Sequence, residues 1–430
     1  MPTINTGDLH IPEEIKPLFD LTHNNFSSLE VSNILAQMPG SKNEVLERQH
    51  LLKGFIANHE ILKDYSYYRF NLTDIYAFLD NVFIGSVSAW KLKMKFMFSE
   101  KAREQKRGKL ILMVRLFYAI NKNYLAKLDL DAFPKSYSQE LEGMKSFFMS
   151  FNLERYETAF NKNKFRVNHI VELMMIVMEK TANGEMAKFW KRWFLFEAYL
   201  SISNYISSKN FVFPEFDDKQ FVLENFYHPV LKNPVKNDFT AETPVILVTG
   251  PNMSGKSTLL KAVSLCVYLA HAGLAVPASK AVMPFYESIS VAINLSDSIV
   301  SGYSHFMSEV MTLKNVLIDA RKGYKCFAVF DELFRGTNIE DALEISTTTI
   351  KGLNKFPGSL FLISTHLHQL REIDEIRTNK VTTCSIDCML RNEVPVFTYK
   401  LRNGWNDLKL GRVLFEKEGL DRILNDNNGQ

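Results

Sequence analysis

The sequence predicts two regions of different class, a mostly α-helical one followed by an α/β domain with a largely parallel sheet. Three observations carry this. Apolar residues recur at helical spacing through most of residues 1 to about 235. From about Phe211, short β-branched runs alternate with helical patterns, as in strands joined by crossover helices. At the head of that alternation, a strand, a glycine-rich loop and a helix follow one another without a gap.

Composition narrows the class. With 430 residues the chain has room for two or three domains, and 46% hydrophobic content suffices for full cores. A formal net charge of +3 neither demands nor excludes nucleic acid, so only a local patch can argue for it. Cys266, Cys326, Cys384 and Cys388 are scattered, which suits reduced thiols in a cytoplasmic protein, and no second pair completes a metal site with Cys384 and Cys388. Met1 to Glu14 is polar, with Pro2 and Pro12, unlike a secretory signal. The longest apolar tract, Leu259 to Ala278, contains Lys261, His271 and Gly273, so it reads as a buried helix running into a strand and not as a membrane span.

In the first region, Glu44 to Leu62 carries Val45, Leu51, Leu52, Phe55 and Ile56 at helical spacing, after a break at Pro39-Gly40. Further helices are predicted over Asp74 to Phe83, Lys109 to Lys127, Gln139 to Phe151, Val167 to Thr181 and Glu185 to Ser208. The many Phe and Tyr residues, Tyr65, Tyr67, Tyr68 and Phe70 among them, read as the aromatic core of a helical domain. One stretch is basic: Lys91, Lys93, Lys95, Lys101, Arg103, Lys106, Arg107 and Lys109, opposed only by Glu100 and Glu104. It either tracks a phosphate backbone or is a solvated helix face.

In the second region, strands are predicted over Pro244 to Val248, Ile289 to Leu295, Lys325 to Phe330, Ser359 to Ser364 and Val394 to Leu401, with helices over Ser257 to His271, Phe306 to Arg321 and Ile339 to Leu353. Gly250-Pro251-Asn252-Met253-Ser254-Gly255-Lys256-Ser257, continued by Thr258, fits G-x-x-x-x-G-K-[ST], a P-loop. Its glycines let successive N–H groups face one anion, and the helix that follows adds its dipole. Lys256 can reach the β- and γ-phosphates of ATP, and Ser257 can ligate Mg²⁺. The strand Cys326 to Phe330 ends in Asp331 and Glu332. Asp331 can hold Mg²⁺, and Glu332 can accept a proton from an attacking water. The strand Ser359 to Ser364 leads to His366, which can meet the γ-phosphate or orient water. His366 and His368 also form H-x-H, but nothing nearby in sequence completes a metal site. Between these elements, Ser304 either caps a helix or belongs to a loop that meets phosphate across a subunit interface.

With these motifs in place, a resemblance becomes specific. Thr249 to Thr258, TGPNMSGKST, resembles the P-loop of the MutS family of DNA mismatch repair ATPases. Ser301 to Glu309, SGYSHFMSE, is similar to its signature loop SGRSTFMxE. Asp331 to Asp341, DELFRGTNIED, is similar to DELGRGTSTxDG, and Ser364 to Leu370, STHLHQL, to ATHYHEL. FVFPEF and YHPV, within Phe211 to Val230, resemble the run into the ATPase. The similarity is strong over 196–420. Over 26–110 it is weaker, with Glu47-Arg48-Gln49 resembling the lever region. The resemblance implies an ABC-type ATPase working as a dimer with two composite sites, Ser304 acting in trans on the partner's γ-phosphate and His366 as the switch histidine.

The chain also departs from that pattern. It begins near the lever region, and Phe-x-Glu at Phe98, Phe213 and Phe285 lacks the context of the mismatch-reading domain, so the expectation is a shortened protein without the mismatch-reading and connector domains. Val235 stands where the family has an aromatic that stacks on adenine, ahead of Asn237-Asp238. Phe334 replaces the usual glycine, and Ala342 another. Gly404 to Leu420 resembles the C-terminal segment but stops early, so a reduced dimer anchor is expected.

The expected organisation is an N-terminal arm over 1–25, a helical lever domain over 26–210, an α/β P-loop (ABC-type) ATPase domain over 211–407 and a short helical tail over 408–430. The expected function is Mg²⁺-dependent hydrolysis of ATP at a composite dimer site to control the grip of a cytoplasmic homodimer on DNA, without sequence specificity and without a membrane. A protein that uses ATP only as a binding switch, or an ATPase acting on structured RNA or ribosomes, is the alternative.

Overall fold

A computed structural model of the chain describes residues 2–82, 88–251, 253–293, 305–334, 337–391, 394–406, 415 and 419–425. Two compact units emerge. Met1–Ile15, Met38–Val45 and Lys209–Gln430 form one; Lys16–Gln37 and Leu46–Ser208 form the other.

The second unit is helical. Its principal helices are α1 Asn25–Ala36, α2 Lys42–Ala57 (which enters it at Leu46), α3 Arg69–Asp80, α4 Ala89–Phe98, α5 Glu100–Asn123, α6 Lys135–Met149, α7 Leu153–Asn161, α8 Val167–Ala182 and α9 Glu185–Lys209. The single helix predicted over Glu44 to Leu62 is interrupted. Asn58 turns its amide onto the Gly54 carbonyl at 2.9 Å and the Asp129 carbonyl at 3.1 Å, and the chain resumes helix at His59–Leu62. Ser99 divides the basic stretch: it ends α4 and its hydroxyl accepts from the Ala102 N–H at 3.3 Å to start α5. Trp193 sits at the centre of an aromatic core, within about 6 Å of the Phe117, Phe148 and Phe189 rings. One turn further along α9, the buried Glu197 carboxylate accepts from Asn24 Nδ2 at 2.5 Å, Ser27 Oγ at 2.6 Å, Tyr65 OH at 2.8 Å, Tyr67 OH at 3.0 Å and Trp193 Nε1 at 2.8 Å. Five donors substitute for the water this carboxylate loses on burial, and they tie α1, α9 and the chain before α3 to one point.

The first unit holds two sheets. The larger has the order β1-β7-β8-β9-β5-β10-β11, where β1 is Ile4–Asn5, β5 Val245–Thr249, β7 Ser288–Ala292, β8 Cys326–Phe330, β9 Leu360–Ser364, β10 Thr382–Arg391 and β11 Val394–Asn403. All its pairings are parallel except β10 with β11. Every residue of β5, β7, β8 and β9 is buried, which is why β5, β8 and β9 read as apolar runs, while Ser288 and Ser290 interrupt the pattern in β7. The smaller sheet, in the order β2-β6-β3-β4, joins Glu215–Phe216, Lys280–Met283, Phe221–Phe226 and Asn237–Ala241. Its longest described helices are α10 Lys256–His271, α11 His305–Arg321 and α12 Ile339–Leu353, and a short helix follows at Leu420–Asn425.

The amino-terminal strand is secured by side chains as well as by the ladder. Asp319 Oδ2 accepts from the Thr3 N–H at 2.7 Å and from Ser288 Oγ at 3.0 Å, and Asp8 Oδ2 accepts from the Ile293 N–H at 2.7 Å. Among the described residues no helix is long and apolar enough to cross a membrane.

Candidate active site

Strand β5 delivers the glycine loop to the start of α10. Gly250 and Gly255 adopt φ of 138° and 100°, a region L side chains rarely occupy. A side chain at Gly250 would also meet Ser254 Oγ at 3.1 Å, and one at Gly255 would meet the Tyr399 ring at 3.1 Å. Ser254 Oγ is buried with no hydrogen-bond partner among the described residues. Pro251 is buried, Met253 and Thr258 are exposed, and Asn252 lies outside the described residues.

Lys256 is 5% exposed and turns its ammonium back into the loop, donating to the Gly250 carbonyl at 2.9 Å and the Pro251 carbonyl at 3.3 Å. Burial lowers its pKa from the ordinary lysine value, while the nearby Glu332 and Asp331 carboxylates work against that shift.

The end of β8 brings Asp331 and Glu332, and the end of β9 brings Ser364 and His366, to the same place. Ser257 Oγ donates to Asp331 Oδ2 at 2.5 Å. Ser364 Oγ donates to the other Asp331 oxygen and accepts the Glu332 N–H at 2.8 Å. Glu332 has φ of 54°, and its Oε1 stands 2.5 Å from His366 Nε2. With Nε2–H donating to that carboxylate, the nitrogen has no lone pair for Lys256 Nζ, 3.3 Å away, so that approach is a contact only. The structure therefore brings Lys256, Ser257, Asp331, Glu332 and His366 together. Ser304 lies outside the described residues. His368 accepts from Trp405 Nε1 at 3.3 Å, and no group of three or more metal-ligating His, Cys, Asp or Glu side chains occurs among the described residues. All four cysteines are free and buried.

Phe334 shows what replacing a glycine entails. Its φ is 68°, which costs a non-glycine residue about 1–2 kcal/mol. Its ring is 1% exposed and lies 6.0 Å from that of Phe306, and its N–H donates to Glu309 Oε2 at 2.9 Å. Burying such a ring contributes about 1.5–3 kcal/mol, enough to offset the backbone cost.

Beside the glycine loop lies a pocket of about 350 Å³, lined by Tyr227, Leu231, Val235, Thr258 and Tyr399 among others. Asn237 shapes its rim: Oδ1 accepts from the Leu401 N–H at 2.8 Å and Nδ2 donates to the Tyr399 carbonyl at 3.0 Å. Tyr399, 47% exposed with φ of 55°, presents the aromatic ring that Val235 cannot. Sequence reasoning placed Tyr399 only within a strand; neither its left-handed backbone nor its approach to Gly255 has a sequence signal.

The basic stretch of the helical unit is partly neutralised. Arg103 pairs with Glu100 and Glu104, Arg107 with Glu104 and Lys109 with Asp74, while Lys106 lies over the Phe78 ring. Lys91, Lys93, Lys95 and Lys101 have no ion pair among the described residues.

The family model described as MutS domain V matches residues 246–422. Proteins called DNA mismatch repair protein MutS are similar to the chain. That of a Geobacillus species is 31% identical over 220 residues, 49% of this chain and 25% of that protein. That of Bacillus licheniformis is 29% identical over 282 residues, 60% and 32% of the two chains. That of Bacillus subtilis is 29% identical over 212 residues, 47% and 24%. The chain thus spans a quarter to a third of the length of these relatives. The match over residues 246–422 takes in every side chain that converges on the glycine loop, so this part of the chain is a MutS domain V.

Proposed function

We propose that the protein is an ABC-type ATPase that hydrolyses ATP at a composite dimer site and uses it to control a grip on DNA. The observation that carries this reading is the convergence of Lys256, Ser257, Asp331, Glu332 and His366 at the ends of three neighbouring parallel strands. The MutS kinship adds to it, since the similar proteins are called DNA mismatch repair proteins.

ATP fits the site in two parts. The pocket beside Tyr399 takes the base, with the ring as a stacking surface. The loop takes the phosphates: its glycine backbone curls around them, and the Ser254 hydroxyl, without a partner among the described residues, is a spare donor beside them. Lys256 exchanges the Gly250 and Pro251 carbonyls for phosphate oxygens, a stronger, charge-assisted pairing. Ser257 Oγ and Asp331, 2.5 Å apart, are hard oxygen donors that suit Mg²⁺ and would hold it. When bound, Mg²⁺ neutralises charge on the phosphates. Glu332 accepts the proton of the attacking water, and His366 fixes the orientation of its carboxylate. Ser304 of the partner subunit completes the site at the γ-phosphate.

Phosphate release from ATP tests the reading. Wild type should turn over only with Mg²⁺, Lys256→Ala should be inactive, and Glu332→Ala should bind ATP without turnover. Turnover by Glu332→Ala near the wild-type rate would remove Glu332 as the base. No turnover by wild type, with ATP bound, would leave a binding switch in place of an enzyme.

A further inference from the structure

Helix α4 of the helical unit has two apolar faces. Leu92 and Phe96, 8% and 2% exposed, turn toward α5 and α8. Trp90, Met97 and Phe98 lie on the other side and are 68%, 55% and 80% exposed. Eight residues separate the two aromatic rings, about 12 Å along the helix. Lys91, Lys93 and Lys95 flank this outward stripe, and Lys101 follows on the first turn of α5. No ion pair holds any of the four among the described residues. The nearest acids in sequence, Glu100 and Glu104, are taken up by Arg103 and Arg107.

Two large rings left in water amid unneutralised lysines fit a partner that is anionic and presents flat apolar surfaces. A second copy of this face would bring lysines against lysines, which disfavours self-pairing. Nucleic acid meets both requirements, phosphates for the ammonium groups and base faces for the rings. A continuous duplex hides its base faces in the stack, so rings on a helix surface reach them only where bases are unpaired. We infer that the outward face of α4 holds unpaired nucleotides, with Trp90 and Phe98 stacking on bases and Lys91, Lys93, Lys95 and Lys101 contacting phosphates. This inference rests on the nucleic-acid reading above and adds to it a preference for strands with exposed bases.

The test uses the full chain and fluorescein-labelled DNA of about thirty nucleotides: an oligothymidylate, a blunt duplex, and the same duplex with a central single-stranded gap. Trp90→Ala/Phe98→Ala removes exposed area only, and its melting transition serves as the folding control. The double variant should lose about tenfold or more in affinity for the oligothymidylate and the gapped duplex, and less than about twofold for the blunt duplex. Changing Lys91, Lys93, Lys95 and Lys101 to Gln should weaken all three alike and flatten the salt dependence. If wild type binds DNA but the double variant binds all three probes as wild type does, or loses equally on all, the inference fails while the function above stands. If wild type binds none of the probes, with or without ATP, both fail. Sedimentation with phosphatidylserine vesicles that depends on Trp90 and Phe98, with DNA binding unchanged by their loss, would assign the face to a membrane surface and overturn the proposal.

Discussion

His366 Nε2 and Glu332 Oε1 meet at 2.5 Å, across the ends of two adjacent parallel strands. In the proposed mechanism the contact divides the labour at the site. Glu332 is positioned from its backbone, through its N–H on Ser364, and from its carboxylate, through His366. Glu332→Gln keeps the shape and removes the base, so kcat should fall about a hundredfold or more with little change in ATP affinity. His366→Ala leaves the base but frees its carboxylate, so kcat should fall less than in Glu332→Gln. Single-turnover rates at saturating ATP check this ordering. A His366→Ala enzyme slower than Glu332→Gln would reverse the two roles.

The proposed composite site has a further consequence. Lys256→Ala and Ser304→Ala subunits should each be inactive alone. Mixed dimers contain one pocket with both residues intact, so mixing should restore about half of the wild-type rate per mixed dimer. ATP should also favour the dimer by mass action. Mixed dimers that form, as seen by differential tagging, but show no activity would count against Ser304 acting in trans.

The buried strands and the long helices were legible because burial writes itself into sequence. Strands β5, β8 and β9 are covered on both faces and contain little but apolar residues, and the acids of Asp331-Glu332 follow the last buried position of β8. Strand β10 escaped notice because Thr382, Thr383 and Ser385 dilute its apolar run, although its parallel pairing with β5 holds it in the sheet. Helix α4 is only half legible: its lysines allow a helix face, but their alternation with apolar residues over Lys91 to Phe96 also imitates a strand, and packing against α5 and α8 decides for helix. Ile4–Asn5 is too short for any periodicity, and its place in the sheet rests on Asp319 and Asp8, far away in sequence. At the site, residue types and spacing announced Lys256, Asp331 and Glu332. They could not announce Ser364, which bridges the two acids through a hydroxyl of the kind many strand ends carry.

Glu197 should be the most sensitive position of the helical unit. Glu197→Leu leaves the side chains of Asn24, Ser27, Tyr65, Tyr67 and Trp193 facing an apolar group inside the core. Unpaired buried donors cost roughly 1–3 kcal/mol each, so even partial relaxation gives a loss of several kcal/mol. Urea unfolding followed by tryptophan fluorescence reports it, since Trp90, Trp190 and Trp193 all belong to this unit. A midpoint shift worth less than about 1 kcal/mol would mean that the network is not what holds α1, α9 and the chain before α3 together.

His271 gives the α/β unit a dependence on acid that can be worked out in sign. It is buried at the end of α10 among the rings of Phe216, Phe285 and Tyr286. Nδ1 donates to the Val267 carbonyl at 2.7 Å and Nε2 accepts the Tyr286 N–H at 2.8 Å. An acceptor at Nε2 requires the neutral ring, and burial pushes the pKa down from 6.5 to about 4, partly opposed by the Val267 carbonyl. The unfolded chain therefore takes up this proton near pH 6.5, the folded one only near pH 4. The contribution to stability is fully present above pH 6.5 and is lost as the pH falls toward 4. Between pH 7.5 and 5 the loss should amount to roughly 2 kcal/mol, from about 1.4 kcal/mol per unit of pKa difference. His271→Gln retains a donor and an acceptor but does not titrate over this range. Opening free energies from amide hydrogen exchange along α10, measured at both pH values and corrected for intrinsic rates, should fall by about that much more in wild type than in His271→Gln. Equal falls in the two proteins would show that His271 is not what makes this unit acid-sensitive.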